Sequence, residues 1–219
     1  MVKIEDMKDI VIYGFGGLGR EIATLLNSIN KISPTWNLLG YIDDGVAVGT
    51  ENKYGKVLGN ADYLNDYKEE LAVIIAIATP SILEKVSQKL VNENLYFPNI
   101  IAPDVLCFDK ESINLGKGNI ITYGCRLSCN ITLGDFNLLN GCISLGHDVT
   151  MGNYNTMFPD VRVSGETVIG NSNFFGARSF IAQRLKIGEN TRFAAGAIVL
   201  NKTRSNCLYM GNPARKIEI

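Results

Sequence analysis

The sequence predicts two units of different fold class, an α/β Rossmann-like domain over residues 1–101 and an all-β parallel β-helix over residues 102–219. Three observations support this. Apolar residues recur every six positions in the second half, glycines recur there every eighteen, and the first hundred residues alternate apolar runs with amphipathic segments. A period of six is typical of hexapeptide-repeat prisms, in which three short strands make one triangular coil.

The six-residue repeat runs through fifteen apolar positions without a break, although only 46% of the chain is hydrophobic. These positions are Leu115, Ile121, Leu127, Leu133, Leu139, Leu145, Met151, Met157, Val163, Ile169, Phe175, Ile181, Ile187, Phe193 and Val199. We expect their side chains to point into a prism of about five coils, in which residues eighteen apart stack. Such prisms wind left-handed, against the usual crossover rule, and the sequence itself does not set the hand.

The eighteen-residue repeat marks one corner of the prism. An apolar residue is followed by glycine at Gly116, Gly134, Gly152, Gly170 and Gly188. Polar residues follow at Lys117, Asp135, Asn153, Asn171 and Glu189, and again at Asn119, Asn137, Asn155, Asn173 and Thr191. Glycine permits positive φ, and Asn and Asp tolerate it. The pattern therefore predicts a tight corner with glycines at positive φ in five successive coils.

Composition excludes several classes of protein. The net charge of −1 gives no basic face for nucleic acid or an acidic membrane, and no apolar run reaches the length of a membrane span. Residues 1–9 lack the apolar centre of a signal peptide. The five cysteines lack metal-site spacing, which favours reduced thiols, no bound metal and a cytoplasmic location.

The first hundred residues begin with a strand, a glycine turn and a helix: residues 9–13, residues 14–19 and a helix from Arg20. Further strands are predicted over residues 38–44, 71–78 and 99–101, with a helix opening at Thr79-Pro80. The result is a small Rossmann-like domain with three or four strands.

The glycine turn has the GxGxxG spacing at Gly14, Gly16 and Gly19, and Asp43 lies where a ribose-binding acid is expected. A dinucleotide cofactor is one interpretation. The domain is about half a full dinucleotide fold, however, so the sequence favours a nucleotide sugar, whose phosphates the helix N-terminus attracts. A purely structural turn is the third interpretation.

His147 is the only histidine of the chain, and Asp148 follows it directly. The eighteen-residue rule stacks His147 on Gly165, whose backbone N–H no side chain shields. Histidine, with an intrinsic pKa of about 6.5, can accept a proton from a hydroxyl or an amine at neutral pH. Adjacent strand residues point to opposite faces, so Asp148 can assist only if the chain bends there, and Glu166 is the alternative carboxylate.

A strip of small residues is predicted one or two coils beyond His147, where Ala177 stacks on Ala195. Gly176, Ala194 and Gly196 flank these two alanines. The strip suits either packing against a second subunit or the floor of a groove for a long thin ligand such as pantetheine.

These motifs together resemble a known family. The six-residue repeat, Gly146-His147-Asp148 and the closing run of residues 210–216 resemble the hexapeptide acyltransferases. The front end, residues 13–21 with residues 41–44, resembles the sialic-acid O-acetyltransferase and bacillosamine-type amino-sugar N-acetyltransferase family. The resemblance extends over nearly the whole chain.

The resemblance implies a homotrimer of left-handed β-helices with acetyl-CoA between two subunits and a nucleotide sugar at the glycine turn. It implies that His147 is the general base, that Asp148 supports it, that Asn140 matches a family asparagine, and that the Gly165 N–H binds the thioester oxygen. The implied acetyl-CoA positions are Thr156, Gly165, Gly176, Ala177 and Ala195. The implied substrate positions are Gly14, Gly16, Gly17, Leu18, Gly19, Asp43, Asp44, Ala78 and Ser81. Leu18 stands where relatives commonly carry histidine, which removes one polar contact to the acceptor.

The leading interpretation is therefore an acetyltransferase acting directly, without a covalent enzyme intermediate, on a nucleotide-linked amino sugar. The alternatives are O-acetylation of a sugar such as sialic acid, a non-catalytic β-helix scaffold and an NAD-dependent oxidoreductase.

Overall fold

The computed structural model describes residues 7–217. The interpretation of residues 1–9 as lacking a signal peptide therefore falls mostly outside the described part. The elements of the first unit are β1 Lys8–Tyr13, α1 Gly17–Ile32, β2 Trp36–Ile42, β3 Glu51–Asn52, β4 Gly55–Gly59, α2 Ala61–Asn65, β5 Leu71–Ile75, α3 Pro80–Lys89 and β6 Leu95–Tyr96.

These strands form one six-stranded sheet in the order β3-β4-β2-β1-β5-β6, parallel except for the β3-β4 hairpin. The sequence predicted only three or four strands. It missed β3 and β6, which have only two residues each, and β4, which glycines bound at both ends. The continuous apolar run of β5 is buried along its whole length, as a parallel strand covered on both faces requires.

The second unit is a triangular prism of very short strands. They are β7 Ile100–Ile101, β8 Leu106–Cys107, β9 Asn114–Leu115, β10 Ile120–Ile121, β11 Arg126–Leu127, β12 Thr132–Leu133, β13 Leu138–Leu139, β14 Ser144–Leu145, β15 Thr150–Met151, β16 Thr156–Met157, β17 Arg162–Val163, β18 Val168–Ile169, β19 Phe174–Phe175, β20 Phe180–Ile181, β21 Lys186–Ile187, β22 Arg192–Phe193, β23 Ile198–Val199, β24 Leu208–Met210 and β25 Arg215–Ile217. A 3-10 turn spans Lys110–Ser112.

Three parallel sheets make the faces of the prism. The first face contains β7, β10, β13, β16, β19, β22 and β24, the second contains β8, β11, β14, β17, β20 and β23, and the third contains β9, β12, β15, β18 and β21. Antiparallel β25 closes the first face. The turns after first-face strands, which include Asn140, are called the asparagine corner. Those after second-face strands, which include His147, are the histidine corner, and those after third-face strands, which include Gly152, are the structural corner.

The predicted repeat is confirmed. Fourteen of the fifteen apolar positions are buried in one continuous core and the first, Leu115, is partly buried beside it. Residues eighteen apart pair as predicted, for example Leu127 with Leu145 and Leu145 with Val163.

The sequence-based explanation of the glycines at the structural corner was wrong. Its glycines do not have positive φ; the residues two positions later do, from Gly118 to Asn190, with φ between 48° and 67°. The glycines are required because the coils approach closely. A Cβ on Gly152, for instance, would collide with the Asn171 side chain of the next coil.

The asparagines of this pattern form a buried ladder inside the prism. The Asn155 backbone N–H and side-chain amide both donate to Asn137 Oδ1, at 2.9 and 3.0 Å, and Asn173 repeats the arrangement on Asn155. Because an unpaired buried amide is costly, this ladder satisfies each asparagine with the one below it.

The prism begins earlier than predicted. Residues 99–101 were assigned to the last strand of the first unit, but Ile100–Ile101 pairs with Ile120–Ile121 and starts the first face. The register differs because twenty residues, rather than eighteen, separate these two strands.

The first unit covers the outer side of the first face. Ile120 and Leu138 pack into the same cluster as α1. On one side, Tyr123 donates to Ser28 of α1 at 3.0 Å. On the other, α3 meets the structural corner, where Ser87 and Tyr154 are hydrogen bonded at 3.2 Å.

The helices run along the prism with their N-termini toward later coils. Ser28, near the end of α1, contacts Tyr123, whereas Glu21, near its start, lines a cavity with Gly141 of the next coil. Similarly, Ser87 contacts Tyr154 and Glu84 contacts Ser172, one coil further. Within residues 7–217 no helix is long and apolar enough to cross a membrane.

Candidate active site

His147 lies at the histidine corner, in the turn between β14 and β15. Its Nδ1 is 2.7 Å from Asp148 Oδ2, and the other carboxylate oxygen accepts a hydrogen bond from Asn130 Nδ2 at 2.9 Å. The side chains of His147 and Asp148 are 59% and 47% exposed, so the pair is open to a ligand. A neutral ring that donates through Nδ1 to Asp148 leaves Nε2 free to accept a proton.

The bend that allows this contact is visible in the backbone. Asp148 has a φ of 58°, in the left-handed region, so its side chain turns back toward its neighbour instead of pointing to the opposite face. Hydrogen bonds from His147 and then Asn130 lower the pKa of the Asp148 carboxyl. The carboxylate therefore stays ionised beside the imidazole.

Glu166 is engaged elsewhere. Both of its carboxylate oxygens accept from Arg184 Nε at 3.0 Å, and this partner lowers the pKa of the Glu166 carboxyl. Of the two carboxylates that the sequence left open, Asp148 is the one in contact with His147.

Gly165 lies directly beside the imidazole, as the eighteen-residue rule predicted. A Cβ at this position would lie 2.6 Å from His147 Nε2 and 2.8 Å from Cε1, so any side chain here would displace the ring. The Gly165 N–H donates to no acceptor within the described residues. A buried glycine amide without a partner next to a free ring nitrogen is the arrangement that an oxyanion site requires.

The other predicted residues of the prism lie at a different corner. Asn140 follows β13, Ala177 follows β19 and Ala195 follows β22, so all three belong to the asparagine corner. Gly176 is also here, and a Cβ on it would lie 2.5 Å from Ala195 N. A single chain therefore does not bring the small-residue strip and Asn140 together with His147.

The structure contradicts one of the predicted acetyl-CoA positions, Thr156. It was expected to line the acetyl-CoA groove, but it is fully buried in β16, on the face that the first unit covers, and its Oγ1 has no hydrogen-bond partner. It is not part of an accessible groove in the chain as described.

The glycine turn forms the N-terminal cap of α1. Gly14 has a φ of 115°, and a Cβ on Gly19 would collide with the Gly14 carbonyl, so both glycines are needed for the turn itself. Gly16 and Gly17 are different, because a Cβ there would meet no close backbone. These two glycines leave the N-terminal amides of the helix open to a ligand.

The two acids after β2 hold the turn and its surroundings in place. Asp43 accepts from the Phe15 and Gly45 backbone N–H groups, each at 2.9 Å. Asp44 accepts from Ala61 N at 3.0 Å and pairs with Lys89 at 2.9 Å. Burial alone would raise the pKa of the Asp44 carboxyl, but the hydrogen bonds from Lys89 and Ala61 outweigh it and lower that pKa.

Two further predicted substrate positions, Ala78 and Ser81, lie where β5 leads into α3. Because β1 and β5 are adjacent and parallel, the starts of α1 and α3 lie at the same edge of the sheet. Leu18 packs partly against the apolar cluster that joins the first unit to the prism. The structure thus gathers the predicted substrate residues at one edge, which is where ligands bind in such sheets.

Two adjoining cavities follow α1 from this edge to the prism. One, of about 340 Å³, is lined by Gly17, Arg20, Glu21, Thr24, Lys53 and Tyr54. The other, of about 280 Å³, is lined by Glu21, Thr24, Leu25, Thr122, Tyr123, Asn140 and Gly141. The two cavities share Glu21 and Thr24 and make one groove, which we call the α1 groove.

Three residues of these sites were not among those predicted from the sequence. Asn130 is eighteen residues before Asp148 and could have been found by the stacking rule. Thr122, whose hydroxyl accepts from Gly141 N at 2.6 Å, is likewise eighteen residues before Asn140. Glu21 belongs to the motif that carried the resemblance, but nothing in the pattern indicated that it faces the prism.

A family model matches most of the first unit. Residues 9–90 match the family model of the PglD N-terminal domain. No curated protein matches the chain. No cluster of His, Cys, Asp and Glu that could hold a metal ion occurs among residues 7–217.

Solved structures match along the whole chain. The acetyltransferase domain of PglB from Neisseria gonorrhoeae FA1090, in complex with acetyl coenzyme A, superposes with a TM-score of 0.87 at 21% identity, covering 96% of this chain and 100% of that one. PerB from Caulobacter crescentus, in complex with CoA and GDP-perosamine, gives 0.83 at 21% identity, covering 96% and 97%. WeeI from Acinetobacter baumannii AYE gives 0.86 at 26% identity, covering 96% and 100%.

These matches confirm the predicted fold and the predicted resemblance. The chain carries a PglD N-terminal domain joined to a left-handed parallel β-helix, and its fold is that of the PglB, PerB and WeeI structures.

Proposed function

We propose that this protein transfers an acetyl group from acetyl-CoA to an amino group of a nucleotide-linked amino sugar. The observation that carries the proposal is the arrangement of His147: its Nδ1 contacts Asp148 at 2.7 Å while its ring lies against Gly165, whose amide is free. A positioned base beside an unpaired backbone donor suits acyl transfer.

In the proposed reaction, His147 Nε2 accepts the proton of the attacking amine as the new C–N bond forms at the thioester carbonyl. The Gly165 N–H stabilises the oxygen that becomes negative, which is typically worth about 3–4 kcal/mol of barrier. The C–S bond then breaks, and His147 returns the proton to the departing thiolate. Asp148 holds the ring and stabilises its protonated form during the transfer.

No cysteine is assigned a covalent role. Cys125 is buried, and its burial raises the pKa of its thiol to about 11, so it is a poor nucleophile at neutral pH. Cys129 and Cys142 are more accessible, but neither has a hydrogen bond to a base within the described residues.

We further propose that the active protein is a homotrimer in which two chains complete each site. The asparagine corner and the histidine corner border the same side of the prism, the second face. If second faces meet around a threefold axis, the Asn140 corner of one chain comes next to the His147 corner of the next. Acetyl-CoA then lies between the two chains, with Gly176, Ala177 and Ala195 giving room for pantetheine.

The nucleotide sugar is assigned to the edge where α1 and α3 begin. Open helix N-termini attract diphosphate, and Gly16 and Gly17 permit close approach. The structure of PerB contains GDP-perosamine and CoA, and that of PglB contains acetyl coenzyme A, which supports a sugar-nucleotide acceptor and a CoA donor here. We also propose that the reaction takes place in the cytoplasm, where acetyl-CoA and nucleotide sugars are available.

The decisive experiment is a screen of UDP-, dTDP- and GDP-linked amino sugars with acetyl-CoA and the purified chain, read by liquid chromatography and mass spectrometry. We expect acetylation of at least one amino sugar, at a rate about 100-fold lower or less with the His147→Ala protein. The result that overturns the proposal is acetyl transfer at a near-normal rate in His147→Ala, or a folded protein that binds neither CoA nor any nucleotide sugar.

The open histidine corner also suits a hydroxyl acceptor, because an imidazole base can activate either group. Presenting free sialic acid in the same screen separates O-acetylation from N-acetylation.

A further inference from the structure

We infer that Glu21 binds the ammonium form of the acceptor and so selects an amino sugar over its hydroxyl counterpart. This inference rests on the proposed function and adds to it the residue that recognises the attacking group. Glu21 lies at the junction of the two cavities of the α1 groove.

The two ends of the α1 groove differ in charge. The cavity that contains Gly17, at the start of α1, also contains the basic residues Arg20 and Lys53. The cavity that contains Asn140 has no basic residue in its lining, and Glu21 is its only charged one. A ligand with phosphate at one end and a cation at the other matches this distribution.

The dimensions agree with such a ligand. Glu21 is one helical turn from Gly17, and four residues of α-helix span about 6 Å. A diphosphate at the helix N-terminus therefore places the attached sugar ring beside Glu21, with its far substituent toward Asn140 and Gly141 of the prism.

Glu21 has no other evident function. It is exposed, and within residues 7–217 its carboxylate takes part in no ion pair and no hydrogen bond. Its neighbours on the groove are engaged: Thr24 is hydrogen bonded to Tyr54 at 2.9 Å, and Tyr123 to Ser28 at 3.0 Å. The only charge at the prism end of the groove is thus left for a ligand.

A carboxylate at this point distinguishes the two acceptor classes. A sugar amine is largely protonated at neutral pH, and a charge-assisted hydrogen bond is about twice as strong as a neutral one. A hydroxyl acceptor gains only the weaker bond. The bound ammonium releases one proton to solvent and attacks as the neutral amine; His147 accepts the second N–H proton as the C–N bond forms and passes it to the departing thiolate. Glu21 therefore favours capture of the amine and takes no part in that proton transfer.

The test is the isosteric change Glu21→Gln, with Glu93→Gln, an exposed glutamate outside the groove, as the matched control. For the amino-sugar nucleotide identified in the screen, we expect Glu21→Gln to raise KM about tenfold or more. The KM for acetyl-CoA should stay unchanged, and Glu93→Gln should match the unaltered protein.

Calorimetry gives a second readout that does not depend on turnover. The unaltered protein should bind the amino-sugar nucleotide more tightly than the matched hydroxy-sugar nucleotide, and Glu21→Gln should remove most of that difference while the affinity for the free nucleoside diphosphate is preserved. The acid limb of kcat should also move to lower pH in Glu21→Gln, because loss of the carboxylate favours the neutral amine.

The outcomes separate this inference from the proposed function. If the protein acetylates an amino sugar but Glu21→Gln keeps the full preference for amine over hydroxyl, the role of Glu21 is wrong and the proposed function stands. If the protein neither acetylates nor binds any nucleotide sugar, both are overturned.

Discussion

The structural corner and the histidine corner have the same backbone path. They differ in whether the backbone N–H two residues after the strand has a side-chain acceptor. At the structural corner, the side chain one coil later accepts the backbone N–H: Asp135 accepts from Lys117 at 2.9 Å, and Asn153 accepts from Asp135 at 2.7 Å. At the histidine corner, the matching positions are His147 and Gly165. Gly165 has no side chain to accept the His147 N–H, and the imidazole lies in the space that such a side chain would fill.

The difference between the two corners shows how a repetitive fold can contain a reactive site. A prism corner becomes rigid when a side chain of each coil accepts the backbone N–H of the previous coil, as Asn171 Oδ1 accepts from Asn153 N at 2.8 Å. Removing the accepting side chain at one coil leaves donors free and opens space, while the neighbouring coils still hold the backbone. The site is therefore an interruption of a pattern that the rest of the prism keeps.

The largest expected effect is at the base itself. His147→Ala should lower kcat by about 10²–10⁴-fold, because it removes the group that accepts the amine proton. Binding of acetyl-CoA, measured by calorimetry, should be retained. Cys142→Ala is the matched control in the same coil and should have normal turnover; if Cys142→Ala alone abolished turnover, direct transfer would be wrong.

The second effect comes from rebuilding the histidine corner as a structural one. Gly165→Asn supplies the side chain that accepts the neighbouring amide at the structural corner, and it displaces the imidazole. We expect kcat to fall about 10²–10³-fold while the thermal unfolding temperature stays the same or rises. Near-normal turnover in Gly165→Asn would contradict the requirement for an imidazole in the space beside Gly165. The Gly165 amide is tested separately by Gln183→Asn, one coil later, because the side chain at position 183 is the one that the repeat places to accept the Gly165 N–H; this change should also lower kcat.

A smaller effect is expected at the supporting carboxylate. Asp148→Asn should lower kcat/KM about 10–100-fold. Glu166→Gln should leave kcat/KM near normal, since its carboxylate is paired with Arg184. A stronger effect of Glu166→Gln than of Asp148→Asn would reverse the assignment of the two acids.

The smallest functional effect is expected at the structural corner. Asn153→Ala leaves the Asp135 N–H without its acceptor and should lower the free energy of unfolding by about 1–2 kcal/mol, measured by chemical denaturation. Turnover at 25 °C should not change. A loss of turnover equal to that of Gly165→Asn would show that the two corners do not have separate roles.

Much of the fold could be predicted because the prism makes distance in space a simple function of distance in sequence. The separation of His147 and Gly165, eighteen residues, placed them together, and the structure agrees. The same arithmetic separates Asn140 from His147, because a distance of seven residues moves to another corner. The spacing alone therefore predicts that the two residues lie at separate corners of one chain.

Other features depend on packing that no period encodes. The position of the first unit on the first face, which buries Thr156, arises from apolar contacts between Ile120, Leu138 and α1. The bend at Asp148 is different, because it belongs to the six-residue period: positive φ also recurs at Cys142 and Tyr154, six residues to either side. The α1 groove lies between the two units and could not be found from either alone.

The central claim is that one site is assembled from the histidine corner of one chain and the asparagine corner of another. Co-assembly of two inactive proteins, His147→Ala and Asn140→Ala, tests it most directly. If the corners belong to different chains, random mixed trimers should recover activity at about a quarter of their sites, since one interface in four combines an intact His147 with an intact Asn140. Mixed assemblies that are no more active than the two variants kept apart would contradict the account.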